Sequence, residues 1–511
     1  MRGSAWSVAL TGIEGAVIEV EAAKGGGLPR TQLVGLPDTA LREAKERVKA
    51  AVTAFELPWP PQLITINLSP ASLPKTGSHF DVAIAVAAIL AESRWSMPLV
   101  ASTILFGELS LDGRIRNVRG VLPAMLAAAK AGFEHAIVPS AQVEEAALVP
   151  GLTVWGAGRL TEVVQILRGR PVDSPSESAP SASLPPVEAS AIPPDLADVV
   201  GHEDGKFALE VAAAGRHHLY LHGAPGVGKT MLASRLTSLL PDLTQDESLE
   251  VSAIHSLAGH QLTGLLSRPP YADPHHSVTP AALLGGGSGE LKPGAISIAH
   301  RGVLFLDECP DFGPKLDALR TPLENGSIII SRARATALFP ARFQLILAAN
   351  PCPCGNHGVA GLECTCDSVK VRRYQERISG PILDRIDIRH QMVSTKRVLL
   401  DVAASPPEPS SVVAERVAEA RQRQARRLAD TPWSTNGEVA GPYLRKELPL
   451  PEDLGSLNSA LDRGALSLRG VDKVLRVSWT LADLAGHDRI GPRELRAALR
   501  LRQGEQLRAV S

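Results

Sequence analysis

The sequence predicts an α/β protein of several domains, and three observations carry that prediction. A phosphate-loop signature follows a short apolar strand in the middle of the chain. Further apolar strands come after it, separated by helical segments, which is typical of a parallel sheet with helices on its faces. A mixed α+β region precedes the signature, and a strand-poor region rich in Leu, Ala and Arg ends the chain. A chain of 511 residues has room for about two to four such domains.

The N-terminal region, residues 1–168, is predicted to be an α+β domain. β-rich runs stand at 63–68, 104–111 and 135–139, and the segment LREAKERVKAAV has helical spacing. The next stretch, residues 169–195, consists mostly of Pro, Ser, Ala and acidic residues. Because such a composition cannot bury a core, it predicts an extended linker between the first two domains.

The central region contains the pattern G-x-x-x-x-G-K-[ST], between the strand LYL and the helical segment TMLASRLTSLL. In this pattern the glycines let backbone N–H groups face the α- and β-phosphates, Lys229 reaches the β- and γ-phosphates, and the Thr230 hydroxyl ligates Mg²⁺. A glycine turn between any strand and any helix is the alternative, which the full G-x-x-x-x-G-K-T pattern in this context disfavours. The predicted contacts to ATP are Gly223, Ala224, Pro225, Gly226, Val227, Gly228, Lys229 and Thr230.

Two acidic residues end the next informative strand, GVLFLDE. In that position the Asp307 carboxylate would hold Mg²⁺ and Glu308 would polarise the attacking water. Asn350 ends another apolar strand, FQLILAAN, and Arg385 follows within ILDRID. This ordered set of residues resembles an AAA+ ATPase.

Longer stretches carry a closer resemblance. RPPYADPHHSVTPAALLGGG, ELKPGAISIAHRGVLFLDE, ANPCPCG and RYQERISGPILDRID together resemble the magnesium-chelatase-like AAA+ ATPases of the YifB or ComM type, over nearly the whole chain. The resemblance implies an AAA+ core at 196–400 and a helical C-terminal lid domain at 411–511. It also implies that Asn350 is the sensor 1 residue, that Arg385 is the arginine finger for a neighbouring subunit, and that Arg469 is sensor 2. An arginine supplied in trans implies a ring, here a homohexamer.

Two of these arginine assignments have an alternative. Arg385 could instead form a surface ion pair with Asp384 or Asp387. Arg476 lies two turns further along the helix that begins near Arg469, and it could take the sensor 2 role.

The N-terminal region resembles the Lon-protease fold that this subgroup carries. The resemblance places His79 where Lon has its nucleophilic serine and Leu122 where Lon has its lysine. Peptide hydrolysis by a Ser-Lys dyad requires both a hydroxyl nucleophile and a basic amine. We therefore expect a catalytically inactive domain used for binding or assembly, although Ser78 and Lys75 stand close by.

Four of the five cysteines lie in one loop directly after Asn350. Two C-x-C pairs supply four thiolates, enough for a tetrahedral Zn²⁺ site with no open coordination position. Free thiols are the alternative, because C-x-x-C is the more usual spacing. The pattern favours a structural zinc in an insertion between sensor 1 and the arginine finger. The candidate ligands are Cys352, Cys354, Cys364 and Cys366.

Net charge does not point to nucleic acid, since 53 Lys and Arg residues face 54 Asp and Glu residues and the formal charge is -1. Any DNA contact must come from local basic patches. Candidates are Arg332 and Arg334 in a predicted hairpin, with Arg416, Arg421, Arg423, Arg426 and Arg427 on a helical stretch. The alternative for the helix is a solvated face whose arginines pair with Glu415 and Glu419.

The resemblance implies an ATP-hydrolysing ring motor that acts on single-stranded or branched DNA, a helicase that promotes branch migration in recombination or natural transformation. Alternatives from other classes are the motor subunit of a magnesium chelatase and an ATP-dependent protein remodelling factor. The N-terminus lacks a basic region followed by an apolar core, and no apolar run approaches the length of a membrane span. We expect a cytoplasmic protein without membrane contact.

Overall fold

The computed structural model describes most of the chain. The described ranges are 2–35, 39–170, 172, 194–287, 291–332, 335–359, 362–393 and 407–505. Most of the predicted linker, and Arg334, lie outside these residues. Within them, no helix is both long enough and apolar enough to cross a membrane.

A seven-stranded mixed sheet occupies the N-terminal part of the chain. The strands of this part are β1 (Arg2–Thr11), β2 (Glu14–Lys24), β3 (Arg30–Val34), β4 (Leu63–Ser69), β5 (Thr103–Leu105), β6 (Glu108–Leu109), β7 (Ile115–Arg116), β8 (His135–Pro139) and β9 (Thr153–Ala157). The sheet order is β3-β4-β2-β1-β5-β8-β9, and β6 pairs with β7 in a separate short hairpin. β1 and β2 are antiparallel, whereas β1, β5, β8 and β9 run parallel.

Helices pack against this sheet. They are α1 (Thr39–Ala54), α2 (Asp81–Glu92), α3 (Val121–Lys130), α4 (Val143–Ala146) and α5 (Leu160–Leu167), with 3₁₀ helices at Val100–Ser102 and Ser140–Gln142. α2, with the sequence DVAIAVAAILAE, is apolar on nearly every side and is accordingly buried along almost its whole length. The β-rich run predicted at 104–111 forms two short strands, β5 and β6. Its continuity breaks because the Gly107 N–H donates to the His79 carbonyl (3.0 Å) and not to a neighbouring strand.

The central region contains a five-stranded sheet in which every pair is parallel, as the sequence predicts. Its order is β11-β14-β17-β10-β18. The strands of this region are β10 (Leu219–His222), β11 (Tyr271–Ala272), β12 (Gly285–Gly286), β13 (Lys292–Pro293), β14 (Val303–Leu306), β15 (Ser327–Arg332), β16 (Ala335–Pro340), β17 (Gln344–Ala349) and β18 (Ile388–Gln391). β12–β13 and β15–β16 are antiparallel hairpins outside the sheet.

The helices of the central region precede and connect its strands. They are α6 (Glu203–Gly215), α7 (Lys229–Ser234), α8 (Gln245–Ala258), α9 (Pro280–Leu284), α10 (Ala295–Ile298), α11 (Arg320–Asn325), α12 (Ser368–Gln375) and α13 (Gly380–Leu383), with 3₁₀ helices at Leu196–Asp198, Arg235–Leu239 and Cys309–Leu319. α7 is shorter than predicted and continues as a 3₁₀ helix. Ser234, Thr237 and Ser238 donate their hydroxyls to the carbonyls three residues earlier, and such bonds compete with the α-helical ladder.

The described residues 407–505 form helices and no strand, which confirms the helical prediction for this part of the chain. The helices are α14 (Ser410–Arg427), α15 (Gly441–Lys446), α16 (Gly455–Asp462), α17 (Leu468–Leu484) and α18 (Pro492–Gln503), with a 3₁₀ helix at Asn436–Glu438. The bundle packs on α6, since Arg421 and Gln424 donate to the carbonyls of Ala213 (2.7 Å) and Ala214 (3.1 Å). Apolar residues of both regions form one core.

Helix α8 connects the central region to the N-terminal sheet. Its Val251 shares a core with Val121 of α3. Its Ser256 hydroxyl donates to the buried Glu145 carboxylate, which also accepts the Leu122 N–H (3.2 Å). The two regions are therefore joined by a continuous core with a buried acid inside it.

The turn between β1 and β2 makes a second connection, to the β15–β16 hairpin. A Cβ on Gly12 would lie 2.5 Å from the Leu338 carbonyl oxygen, so only glycine allows this approach. Leu10 and Ile13 pack beside Phe339 of the hairpin.

We predict that Glu145 makes the stability of the protein depend on pH. Burial raises its pKa to about 7 from a usual value near 4.5. A raised carboxyl pKa gives stability that is complete below pH 4.5 and is lost as pH rises through 7, by up to about 3 kcal/mol at roughly 1.4 kcal/mol per pKa unit. Glu145→Gln lacks this titration, so its unfolding temperature should rise relative to wild type between pH 5 and pH 8. A difference in unfolding temperature between the variant and wild type that stays constant from pH 5 to pH 8 would contradict the prediction.

Candidate nucleotide-binding site

The phosphate loop lies at the carboxyl edge of the central sheet, between β10 and α7. Gly226 and Gly228 have φ values of 75° and 89°, which glycine adopts without strain. The buried Lys229 ammonium donates to the carbonyls of Gly223 (2.8 Å) and Ala224 (2.9 Å). Burial lowers the pKa of Lys229, while the nearby carboxylates oppose that shift. The loop is thus folded around its lysine.

The predicted partners of the loop meet it at the same edge of the sheet. Lys229 also donates to Asn350 Oδ1 (2.9 Å), and the Thr230 hydroxyl donates to Asp307 Oδ2 (2.6 Å). Asn350 follows β17, which lies beside β10, and Asp307 follows β14, which lies on the far side of β17. The structure therefore brings together four side chains that lie up to 121 residues apart in sequence.

Glu308 is positioned by a strained backbone and by a histidine. Its φ is 49°, in the left-handed region that non-glycine residues rarely adopt. Its carboxylate lies 3.3 Å from His276 Nδ1, and the loop of that histidine is held by Lys315, which donates to the Val278 carbonyl (2.9 Å). His276 was not among the predicted site residues, because nothing in the local sequence pairs it with a strand that begins more than twenty residues later.

A cavity of about 340 Å³ opens beside the phosphate loop. Besides Gly226, Val227 and Gly228 it is lined by residues that sequence reasoning did not select. These are Asp198, Val200, His202 and Met231. Only the folding of the segment at 198–202 over the loop shows that it lines the site.

Arg385 and Arg469 lie away from this cluster. Arg385 precedes β18, so it stands at the amino edge of the sheet, whereas the phosphate loop follows β10 at the opposite edge. Its guanidinium contacts Glu324 and donates to the Pro381 carbonyl (2.7 Å). Arg469 lies 3.6 Å from the same Glu324 carboxylate.

The described contacts show how each of these arginines is held. The suggested ion pair of Arg385 with Asp384 or Asp387 is absent from the described contacts, because Asp387 pairs with Lys473 (2.8 Å). Lys473 also donates to the Arg385 carbonyl (3.0 Å), so the C-terminal helices hold the backbone of this arginine. Arg476 donates to the Val439 carbonyl at 2.7 Å, while Arg469 is 66% exposed.

The four clustered cysteines converge. Their Sγ atoms all lie within 4.8 Å of one another, and the separations among those of Cys352, Cys354 and Cys364 are 3.3, 3.6 and 3.7 Å. A tetrahedron with Zn–S bonds of about 2.3 Å has edges of about 3.8 Å, whereas a disulfide needs about 2.05 Å. The arrangement suits a metal with four thiolate ligands.

The cysteine loop touches the phosphate loop. A Cβ on Gly355 would lie 2.4 Å from the ring of Pro225. Gln375 of α12 donates to the Pro351 carbonyl (3.1 Å), on the chain between Asn350 and Cys352.

Ser78 and Lys75, which stand near the Lon-like positions His79 and Leu122, do not form a dyad in the described structure. Ser78 donates to Glu108, and Lys75 donates to the Pro70 carbonyl. His79 is buried, and burial lowers its pKa to about 4. The absence of protease activity stays a prediction, and these side-chain partners agree with it.

The basic helix α14 uses most of its arginines inside the protein. The contacts are Arg416 with Glu210 and Glu408, Arg421 with the Ala213 carbonyl, Arg423 with Asp488, and Arg427 with Asp483. A paired helix face is therefore the better interpretation, although the partners are not the predicted Glu415 and Glu419. Arg426 is exposed, and so is Arg332 at the end of β15.

A strand, phosphate loop and helix, with an aspartate and an asparagine supplied by neighbouring parallel strands, define a P-loop nucleotide-binding protein. Comparison with protein families matches residues 195–399 to "Magnesium chelatase, subunit ChlI", residues 18–142 to "Subunit ChlI of Mg-chelatase", and residues 407–502 to "Magnesium chelatase, subunit ChlI C-terminal".

Relatives that match over nearly their full length identify the family within the class of P-loop proteins. The chain is 50% identical to an uncharacterized protein of Mycobacterium tuberculosis, over 98% of both chains. It is 39% identical to competence protein ComM of Haemophilus influenzae, over 97% of this chain and 96% of that protein. It is 38% identical to the uncharacterized protein YifB of Escherichia coli, over 98% and 96%. The chain belongs to the magnesium-chelatase-like family of ComM and YifB, whose AAA+-type ATPase core implies ATP and Mg²⁺.

We predict that Glu308→Gln separates hydrolysis from binding. Because the carboxylate would act on the water and not on the phosphates, kcat for ATP hydrolysis should fall by about 10² to 10³. Nucleotide affinity should stay within a few-fold of wild type, as measured by fluorescent-nucleotide titration. Lys229→Ala is the contrasting variant and should lose nucleotide binding itself. Hydrolysis by Glu308→Gln at the wild-type rate would contradict this role.

Proposed function

We propose that this protein is a ring-forming ATPase motor that acts on DNA, with its active sites shared between adjacent subunits. In each site Lys229, Thr230 and Asp307 bind ATP with Mg²⁺, and Glu308 and Asn350 orient and activate the water. Arg385 and Arg469 act on the nucleotide of the adjacent subunit. The observation that carries the proposal is the position of these two arginines at the sheet edge opposite the phosphate loop.

The separation across the sheet supports a site shared between two chains over one closed within a single chain. β10 and β18 are paired in parallel over four residues, and a strand of that length spans about 13 Å at roughly 3.3 Å per residue. The phosphate loop follows the carboxyl end of β10, and Arg385 precedes the amino end of β18. In the proposed assembly, a guanidinium so placed reaches the γ-phosphate bound by a second copy of the chain. A ring lets every copy do this.

The basic surface proposed for DNA is the pair of hairpins, β12–β13 and β15–β16. Arg332 ends β15, and its guanidinium lies beside Gly286 of β12. Neither Arg332 nor the exposed Lys292 of β13 makes an ion pair in the described part of the chain. Contacts to DNA phosphates supply sequence-independent, salt-dependent affinity, which suits a motor that moves along the duplex or single strand. The near full-length similarity to a competence protein supports a DNA substrate over a porphyrin.

We also propose that the cysteine loop holds a structural Zn²⁺ through Cys352, Cys354, Cys364 and Cys366. Four thiolates leave no coordination position for a substrate, so the metal would act on structure alone. Through Gly355 it would brace the phosphate loop at Pro225, and through Cys352 it would brace the strand end that carries Asn350.

We predict that DNA stimulates the ATPase of the purified protein. The rate of ATP hydrolysis should rise when single-stranded or branched DNA is added. Lys229→Ala should abolish ATP hydrolysis with and without DNA. Arg332→Ala should weaken stimulation and reduce its salt dependence, because a phosphate contact is lost. Arg423→Ala, on the distant α14, serves as the control and should respond as wild type does. An ATPase rate and an oligomer size that do not change when DNA is added would contradict the DNA role.

We predict about one zinc per chain in metal analysis of the purified protein. Cys354→Ser with Cys364→Ser should lose the metal and lower the unfolding temperature and the ATPase rate. Cys309→Ala, which changes a buried cysteine outside the cluster, should keep the metal. Absence of zinc, together with unchanged folding of the double variant, would remove the proposal.

A further inference from the structure

A cavity of about 520 Å³ lies between the amino edge of the central sheet and the C-terminal helices. Its basic lining residues are Arg216, Arg342, Arg385, Arg469, Lys473 and Arg476. A cavity with this many cations suits an anionic group, and the proposed function supplies one in the γ-phosphate of the adjacent subunit.

Several of these cations already have partners. Arg216 pairs with Glu438 (3.1 Å), and Lys473 pairs with Asp387 (2.8 Å). Their role is to hold the walls of the cavity in place. Arg385 and Arg469 differ, because both guanidinium groups reach one carboxylate.

That carboxylate is Glu324, in the last turn of α11. Nη2 of Arg385 contacts its Oε1, and Nη2 of Arg469 lies 3.6 Å from the same oxygen. Nη1 of Arg385 is fixed by the Pro381 carbonyl, so Nη2 is the part of the fork that Glu324 occupies. One carboxylate oxygen therefore stands between two guanidinium groups, where a phosphate oxygen would be bound by both.

We propose that Glu324 is an internal counter-ion for the two arginines. It holds Arg385 and Arg469 together against their mutual repulsion, and the γ-phosphate of the adjacent subunit's ATP displaces it. Glu324 is thus a positioning residue that competes with the nucleotide for the same guanidinium groups. This inference rests on the proposed function, in which both arginines act in trans.

The competition has a measurable consequence. Glu324→Gln keeps the side-chain shape and one acceptor oxygen but removes the charge, so the arginines are released more easily. The KM for ATP should fall about fivefold, the value expected for one partly exposed ion pair of about 1 kcal/mol. kcat should stay within about twofold, because no group on the reacting atoms changes. Higher salt should shrink the KM difference, since it screens this half-exposed pair.

Two variants serve as controls in the same steady-state ATPase assay. Asp472→Asn removes one negative charge from the same cavity, but Asp472 pairs with Arg445 and touches neither arginine, so KM should not change. Glu324→Ala removes the acceptor as well, so the arginines lose their alignment and kcat should fall. An unchanged or raised KM for Glu324→Gln would overturn the proposal, as would an equal fall of KM in Asp472→Asn.

A mixing experiment keeps this inference distinct from the proposed function. Lys229→Ala and Arg385→Ala should each be inactive, and mixing them should restore part of the ATPase rate, because some interfaces join two intact halves. Restored activity with no KM shift for Glu324→Gln overturns the counter-ion role alone. Absence of restored activity overturns the shared site, and this inference falls with it.

Discussion

All five strands of the central sheet run in one direction, and both halves of the proposed catalytic machinery depend on that constraint. Parallel strands place every carboxyl end at one edge, so the phosphate loop, Asp307 and Asn350 meet there although they are far apart in sequence. The same constraint places every amino end at the other edge, where Arg385 precedes β18. A single chain therefore presents a nucleotide site and an arginine pair on opposite sides, and the proposed ring would join one to the other.

The surrounding regions hold these two edges rigidly. On the arginine side, Lys473 and Arg502 of the C-terminal helices reach the carbonyls of Arg385 and Ile386. Burial alone would raise the pKa of Asp387, but Lys473 and the neighbouring histidines outweigh it and the pKa is lowered, so this carboxylate stays charged beneath the arginine. On the nucleotide side, the cysteine loop packs on the phosphate loop through Gly355. A metal that fixed the positions of the four thiols would therefore also restrict the movement of the phosphate loop.

The N-terminal region is part of the same mechanical unit. It shares a core with α8, and its β1–β2 turn lies on the base of the β15–β16 hairpin. One face of that hairpin is thus covered by the N-terminal region, whereas Ile329 and Leu338 on the other face are exposed. The N-terminal region therefore supports the hairpin from one side.

Local sequence was sufficient for features that depend on consecutive residues. The phosphate loop, the strand ends with Asp307 and Asn350, the cysteine pairs and the helical C-terminal region all follow from short patterns. Where local chemistry competes with a pattern, prediction failed, as when serine and threonine hydroxyls shortened α7 and when Gly107 interrupted the strand at 104–111. The contacts of His276 with Glu308, of Glu324 with two arginines and of α14 with Glu210 join segments far apart in sequence, so only the tertiary structure decided them. The sequence alone determined which groups the protein carries, because each motif is local, whereas the packing of distant segments determined which of those groups meet.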